Sequence, residues 1–552
     1  MSMKKVMAVL LALAMTCSLA ACGNGEGIQK AGETSSSETA STESDGETAE
    51  ETTTGQSQIV IGQSTTYTTL DPAYCYEWDA EMVLHAVYDT LVTTSPEDES
   101  EIIPCIASDW TISDDNLTYV FTLNEGITFT TGKELTADDV VYCFNRLKGV
   151  QGNPSFLMDT VETVEATGDY EVTLTLNTVN PAILSILTRS SFSIYDSEVA
   201  QANGGTCDES DTFQAYADSN PSVGSGAYQI TTYTSGSEVI LEKFADAQIK
   251  TGSVDKIIVR TIADANTQQM ELEAGDIDFA LDLTADQVAV IEDEENIQIV
   301  TGSTYDIFFL MMNVSEEYGE ELADPTVREA IKYAIDYEGL CELAGNDAFV
   351  PSGIIPQGFL GYAGESTVTR DVEKAKELLA EAGYADGFSF DCGVIPDMAP
   401  DGVSFMMCAE KIQSDLAEVG ITMNIISQEA SVYLEAYRDG TQQAVISQWG
   451  PDYYDPNNQL AFLPGNTVGL RAGWTADMNE ELVALGEQAA SETDDSVREE
   501  LLLQIQEVME EEASPYIVYL QAGRTLAVST RVQNIILSSA YVLDFTTLEV
   551  AE

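Results

Sequence analysis

Chemistry at an active centre needs particular side chains, and this sequence supplies few of the usual sets. It holds one histidine, His85, so sites built from several imidazoles and two-histidine zinc motifs cannot be assembled. A Ser-His-Asp relay would have to use His85. No G-x-S-x-G elbow accompanies it, and it lies in Glu81-Met82-Val83-Leu84-His85-Ala86-Val87-Tyr88, whose apolar spacing is helical. A structural histidine on a helix is the expectation. Gly126 to Lys133 runs like a phosphate-binding loop, but five residues separate its glycines and Glu134 stands where Ser or Thr should hold magnesium. Paired carboxylates are frequent because acids are frequent, so their adjacency does not indicate glycosidase chemistry. No enzymatic activity, metal or cofactor is expected.

Thiols offer two further chemistries. Of nine cysteines, Cys17 falls within an N-terminal apolar segment and Cys22 closes it. The other seven, Cys75, Cys105, Cys143, Cys207, Cys341, Cys392 and Cys408, are scattered, odd in number and free of any C-x-x-C pair. Neither zinc nor a disulfide scaffold is indicated, and a few bridges are the most to expect. At the N-terminus, Lys4 and Lys5 precede an apolar run from Val6 to Ala14, too short to span a bilayer as a mature helix, which is the order of a secretory signal. Leu19-Ala20-Ala21-Cys22-Gly23 resembles the bacterial lipobox, in which small residues fit the signal peptidase and the cysteine thiol accepts a diacylglyceryl group. Cys22 is the expected lipid anchor; the alternative is an ordinary thiol after a simple signal. Residues 1–22 are then signal and lipobox, and 23–57, almost all Ser, Thr, Glu and Gly, form a tether that cannot offset the entropy of ordering. As a flexible coil it would reach roughly 30 Å.

The remaining chain must position whatever chemistry exists. A length of 552 residues exceeds what one core supports, and 44% hydrophobic residues exclude wholesale disorder. Asp and Glu number 94 against 22 Lys and Arg, a formal net charge of -72. Such a surface repels phosphate backbones and anionic lipid, so no nucleic-acid or membrane-surface role is expected. It is either a solvated secreted surface or a field that concentrates cationic ligands; no motif marks a site for the second, and the first is favoured.

Strands and helices mix after Ile59. Leu117, Tyr119, Phe121 and Leu123 alternate with polar neighbours, the period of a half-buried strand. After a turn with Gly126 and Gly132, Thr136 offers a helix N-cap, with Asp138 and Asp139 in the first turn and Val140, Phe144 and Leu147 on one stripe. A second helix starts at Asp324-Pro325 and carries Val327, Ala330, Ile331, Ala334 and Ile335. A third runs from Asp371 to a stop at Gly383, and a fourth, around Met406 to Leu416, ends by Gly420 before the apolar run Ile421 to Ile426. Helix followed by strand, repeated, predicts α/β lobes.

The stretch Leu117 to Leu147, LTYVFTLNEGITFTTGKELTADDVVYCFNRL, closely resembles the signature of family 5 extracellular solute-binding proteins, the oligopeptide-, dipeptide- and nickel-binding group. Further matches follow in that family's order: Leu70-Asp71-Pro72; Gly224-Ser225-Gly226-Ala227-Tyr228; Val327-Arg328-Glu329-Ala330-Ile331 with Tyr333-Ala334-Ile335-Asp336; Asp371 to Tyr384; and Trp449 to Pro456. Departures at Thr130-Thr131, Ser225 and Ala227 sit at turns. The resemblance implies a periplasmic-binding-protein-like fold of class C, type II: two lobes closing by a hinge, plus an extra domain. By analogy the first lobe comprises 58–97, 218–305 and 515–552, the extra domain 98–217, and the second lobe 306–514. It also implies a monomeric receptor on the outer face of the bacterial cytoplasmic membrane, held there by its lipid alone, that delivers peptides to an ABC permease and ATPase. Within the same fold the solute could instead be a nickel chelate, haem, a sugar or an opine.

In peptide-binding relatives the aspartate three residues after the tryptophan of Gln448-Trp449-Gly450-Pro451-Asp452-Tyr453-Tyr454-Asp455-Pro456 pairs with the ligand's α-ammonium, which implies that role for Asp452. A carboxylate enclosed on closure needs a cation, and a peptide N-terminus supplies one. The other reading is that Asp452 braces its own loop, as Asp455 before Pro456 does in a turn. Trp449, Tyr453 and Tyr454 wall the pocket or belong to the core. Tyr76, Glu77 and Trp78 fall where relatives line the opposing lobe. No arginine stands beside Trp449 to take a ligand carboxylate.

Overall fold

Two long strands, Ile297–Met312 and Tyr516–Ser529, run antiparallel down the middle of a ten-stranded sheet. The computed structural model describes residues 57–345 and 347–551, so the expected signal, Cys22 and the tether before Ser57 lie outside the described residues. The long pair extends from Ile297 opposite Ser529 to Met311 opposite Tyr516, and its register slips between Ser303 and Ile307 and again between Phe308 and Phe309. Such slips bend and twist a ribbon locally. On one side of the first slip the sheet continues through Phe279–Ala280, Gln58–Gln63, Lys256–Thr261, Glu238–Lys243 and Tyr228–Thr234; on the other, through Ala444–Trp449, Phe388–Val394 and Ile421–Ser427. Among the described strands, only the two long ones are common to both halves.

The cores divide at the same place. Ile59, Ile61, Ile257, Phe279, Leu526 and Val528 belong to one cluster. Past the slip, Phe308, Leu310 and Met312 enter a second cluster with Phe390, Met423 and Ile446, while Ile307, Phe309 and Met311 enter a third with Val445 and Tyr516. This half-sheet is covered on both faces, which is why Ile307 to Met312 is an unbroken apolar run rather than an alternating one. Its parallel strands Phe388–Val394 and Ile421–Ser427 are linked through helix Phe405–Ala417, a βαβ unit.

A separate antiparallel sheet is made by Ala107–Ile112, Thr118–Leu123, Glu171–Leu176 and Val161–Gly168, in that spatial order. The alternation read from 117 to 123 is this sheet's second strand, with Tyr119, Phe121 and Leu123 buried. The sheet packs against helix Ala137–Gly149, and Phe121, Phe144 and Leu174 join the same cluster as Ile59.

Local capping explains where the helices begin. Thr136 and Asp139 form a capping box ahead of Ala137–Gly149. The Asp324 side chain accepts from the backbone N–H of Thr326 ahead of Pro325–Ala334, and that of Asp371 from Lys374 ahead of Val372–Glu381. Gly383 and Gly420 follow their helices with φ of 92° and 89°, a conformation that costs glycine little. A few disulfides were the most to expect, and all seven described cysteines are unpaired.

Candidate functional site

The loop that carries Tyr76 is fixed from below by a buried ion pair. Asp71 binds Arg146 of helix Ala137–Gly149 through two hydrogen bonds (2.7 and 2.5 Å), and Asp211 holds the same guanidinium at 2.9 Å; neither Arg146 nor Asp71 has any side-chain exposure. The carbonyl of Asp71 then accepts the N–H groups of Tyr74 (3.0 Å) and Cys75 (2.8 Å), closing the turn before Tyr76. Two motifs far apart in sequence, Leu70-Asp71-Pro72 and the helix ending in Arg146, are one structural unit. A third docks on the C-terminal end of helix Glu81–Val87: a Cβ on Gly224 or Gly226 would lie 2.3 or 2.6 Å from the backbone of Val87, and Ser225 Oγ donates to Asp89 (2.8 Å). Only glycine permits that approach.

Tyr76 reaches across to the other half of the molecule, where its hydroxyl donates to Asp452 Oδ1. Asn458 Nδ2 donates to Asp452 Oδ2 (2.9 Å), and Trp449 Nε1 in turn donates to Asn458 Oδ1 (2.7 Å). Trp449 thus sets the Asn458 amide, and Asn458 sets the carboxylate. Burial, then the charge and hydrogen bond of Asp452, push the Tyr76 phenol far above its ordinary value, so it remains a donor at any physiological pH. A carboxylate between a phenol and an amide keeps acceptor capacity for a further donor, and a cation is the natural one.

The other candidates separate clearly. The carboxylate of Glu77 accepts from Thr68, from the N–H of Tyr76 (3.2 Å) and from Cys75 Sγ (3.4 Å). Burial pushes its pKa up, but these hydrogen bonds outweigh it and the net shift is downward. It braces its own loop. Trp78 begins the helical turn Trp78–Ala80, and its side chain lies outside the described residues. Tyr453 is half-buried against the first half's core. Tyr454 stacks edge-on with Phe359 (4.6 Å) and Tyr305 (5.2 Å), donates to the Gly358 carbonyl, and its own carbonyl accepts from Ser185 Oγ (2.9 Å). Burial, with the charges of Asp98 and Glu99, pushes its phenol up to about 12.

Asp455 caps the turn Pro456–Phe462 and pairs with Arg498 (2.9 Å). That structural duty leaves Asp452 as the loop carboxylate facing the opposite half. Sequence reasoning missed Asp306, whose Oδ1 accepts from Gln448 Nε2 (2.9 Å) just ahead of this loop, and Asn458, which orients the Asp452 carboxylate. Asn458 was in reach: it lies six residues past Asp452, just beyond the matched segment.

His85 sits on helix Glu81–Val87, stacks on Tyr541 (3.9 Å, 10°), and its buried Nδ1 has no hydrogen-bond partner. Burial, then the charge of Lys250, hold it well below the ordinary imidazole pKa. A nucleophile relay needs a carboxylate on one ring nitrogen, and the orphaned Nδ1 shows none there. Among the described residues no cluster of three or more His, Cys, Asp or Glu could hold a metal ion, and no helix is long and apolar enough to cross a membrane.

Comparison with known proteins agrees with this architecture. The dipeptide-binding protein of Escherichia coli (strain K12) is 29% identical over 448 residues, covering 76% of this chain and 81% of that protein. Heme-binding protein A of Haemophilus influenzae is 28% identical over 480 residues, covering 82% and 84%. The structure of the periplasmic binding protein DppA from Helicobacter pylori, solved in complex with the peptide STSA, superposes with a TM-score of 0.76 over 90% of this chain and 99% of that one, at 24% identity, which establishes the fold. Residues 101–469 match the model of bacterial extracellular solute-binding proteins, family 5 Middle. With two half-sheets sharing one long ribbon and most of the chain matched, this protein belongs to family 5 of the bacterial extracellular solute-binding proteins.

Proposed function

We propose that this protein is a non-enzymatic receptor that captures peptides between its two halves, Asp452 holding the α-ammonium, and delivers them to an ABC importer. The observation that carries this is the Asp452 carboxylate itself. It is oriented by Asn458 from its own half and covered by Tyr76 from the other, so a cation bound there touches both halves at once. The lobes are 58–97 with 218–305 and 515–552 on one side and 306–514 on the other, with 98–217 as the extra domain. The hinge is the stretch from Ser303 to Ile307 opposite Gln521 to Gly523, where the register slips. Closure over a ligand shifts the molecule toward the shape the permease recognises.

The name of the Escherichia coli relative supports a peptide. Haem ligated by imidazole is disfavoured here, because the one histidine is spent in a helix against Tyr541. The receptor acts as a monomer on the outer face of the cytoplasmic membrane, anchored through Cys22, without nucleic acid, metal or cofactor. Native mass spectrometry of gently purified protein, followed by calorimetry with dipeptides, tests this. Retention of peptides, or saturable binding of free-amine dipeptides, is expected; binding of some other solute with no response to any peptide refutes it.

A further inference from the structure

Past the register slip, the half-sheet that contains Ala444–Trp449 ends in an open edge. Strand Tyr516–Ser529 is its last member there, since Phe279–Ala280 joins that strand only at Ala527 and Val528. The N–H of Met312 donates to the Pro515 carbonyl (2.8 Å), so antiparallel alternation turns the backbone groups of Tyr516 and Val518 away from strand Ile297–Met312. Further along, Phe349 exchanges two hydrogen bonds with Gln521 (3.2 and 2.7 Å) and then diverges. From Pro351, which has no N–H to offer, the chain pairs instead with Gly364 to Ser366. Among the described residues nothing accepts from the outward N–H of Val518 or donates to its carbonyl. A bare strand edge is a template for another strand, and proteins usually cover or blunt it.

A cavity of about 530 Å³ lies beside this edge, between helix Pro325–Ala334 and helix Asp495–Glu511, a volume ordinary for a small-ligand pocket. At one end Arg328 donates to the Ala513 carbonyl (2.6 Å), and the Phe349–Gln521 bridge bounds the strand edge at the other. Tyr516 and Val518 are the open positions between them, room for about three residues of an added strand. The rim is acidic. Glu510 pairs with Lys332 of the facing helix and Glu329 with Lys374 (3.9 Å), whereas Glu507 and Glu511 have no ion-pair partner among the described residues. These two stand four residues apart on one helix face, a like-charge spacing that destabilises a helix and that a cation between them relieves. Leu503, one turn earlier and 39% exposed, adds an apolar contact.

We propose that this groove is a second ligand site, which takes a short, extended peptide with basic side chains as an added strand on Tyr516 to Val518, its cations lying at Glu507 and Glu511. Strand addition supplies the affinity through main-chain hydrogen bonds, and the acidic rim supplies the preference for Lys or Arg. An edge bounded at both ends suits a free peptide, because a segment of another protein would have to continue past Arg328 or the Phe349–Gln521 bridge. Every lining residue stands on one side of the register slip, and none belongs to the Asp452 site. A peptide held there meets the same surface whether the halves are open or closed, so it needs no α-ammonium anchor and does not drive closure.

Calorimetry with N-acetyl-Lys-Val-Lys-amide tests this, because acetylation removes the α-ammonium that Asp452 would hold. Saturable one-to-one binding is expected, undisturbed by saturating Ala-Ala and about tenfold tighter than that of N-acetyl-Glu-Val-Glu-amide. Glu507→Gln combined with Glu511→Gln should remove most of that margin; both side chains are exposed, and circular dichroism checks that the variant is folded. A form of the basic peptide methylated at its backbone nitrogens keeps the charges but cannot donate to the strand, and should bind about tenfold more weakly. Hydrogen exchange at the Val518 amide should slow when the unmethylated peptide binds. Absence of binding, displacement by Ala-Ala, equal affinity for the methylated form, or a margin that survives the double substitution each overturns the groove site and leaves the role of Asp452 intact. If the acetylated peptide binds while no free-amine dipeptide does, the Asp452 reading falls and the groove site stands.

Discussion

Replacing Asp452 with Asn changes one oxygen to an amide and isolates the charge. Asp452 accepts from Tyr76 on one oxygen and from Asn458 on the other, and Asn458 cannot turn over freely because its own oxygen holds Trp449 Nε1. The new amide must therefore point its oxygen at Asn458 and its NH2 at the phenol of Tyr76, which can accept. Loss of the charge-assisted bonds costs the unliganded protein about 1 kcal/mol. The ligand loses far more. A hydrogen bond to a charged group is worth about 1.5–3 kcal/mol, and breaking an enclosed ion pair costs about 3–5 kcal/mol. Taking about 3 kcal/mol, Asp452→Asn weakens a free-amine dipeptide roughly 100-fold. The assay is titration calorimetry of wild type and variant with a dipeptide and its N-acetyl form. Acetylation should weaken wild-type binding by a similar factor and add little in the variant, because the two changes remove one interaction. If Asp452→Asn binds the free dipeptide at wild-type affinity, or if acetylation costs the two proteins equally, the anchor is elsewhere.

Three further outcomes follow from the scaffold. Asp71→Asn leaves Arg146 buried with only Asp211 for charge and should destabilise the protein by about 3–5 kcal/mol, read as a lower melting temperature; an unchanged melting temperature removes the pair from the account of the Tyr76 loop. Gly226→Ala places a Cβ 2.6 Å from the Val87 carbonyl carbon and should cost about 2 kcal/mol or more in urea unfolding, whereas Ala227→Gly a residue later should cost less. His85 is held below its ordinary pKa of 6.5, so the unfolded chain binds more protons there and stability rises with pH through that range. The stability lost as pH falls below 6.5 should shrink in His85→Gln; an identical pH profile for the two proteins would place the acid sensitivity elsewhere.

Periodicity and capping act within a turn or two of chain, so the residues themselves display them. Thr136 with Asp139, Asp324 before Pro325, and Asp371 ahead of Lys374 each satisfy their own helix's N–H groups, and the helices begin there. The Ile307–Met312 run carries no comparable signal, because an unbroken apolar stretch does not say whether it is a strand or a buried helix. Covering both faces of one half-sheet is what gives it meaning.

Taken alone, the sequence settled the local signals: one histidine and no nucleophile elbow, helix starts and stops, and a motif order shared with a known family. Tertiary structure decided which carboxylates do what. Asp452 and Asp455 are three residues apart, yet one meets Tyr76, 376 residues away in the chain, and the other is tied to Arg498. Glu77 is held by Thr68 and Cys75 of its own loop, and Asp306 and Asp401, 95 residues apart in the chain, both stand at the Arg524 guanidinium. A side chain's charge is written in the sequence, but its partner is chosen by chain folding over long separations, and for a buried acid the partner determines whether it braces, binds or holds a proton.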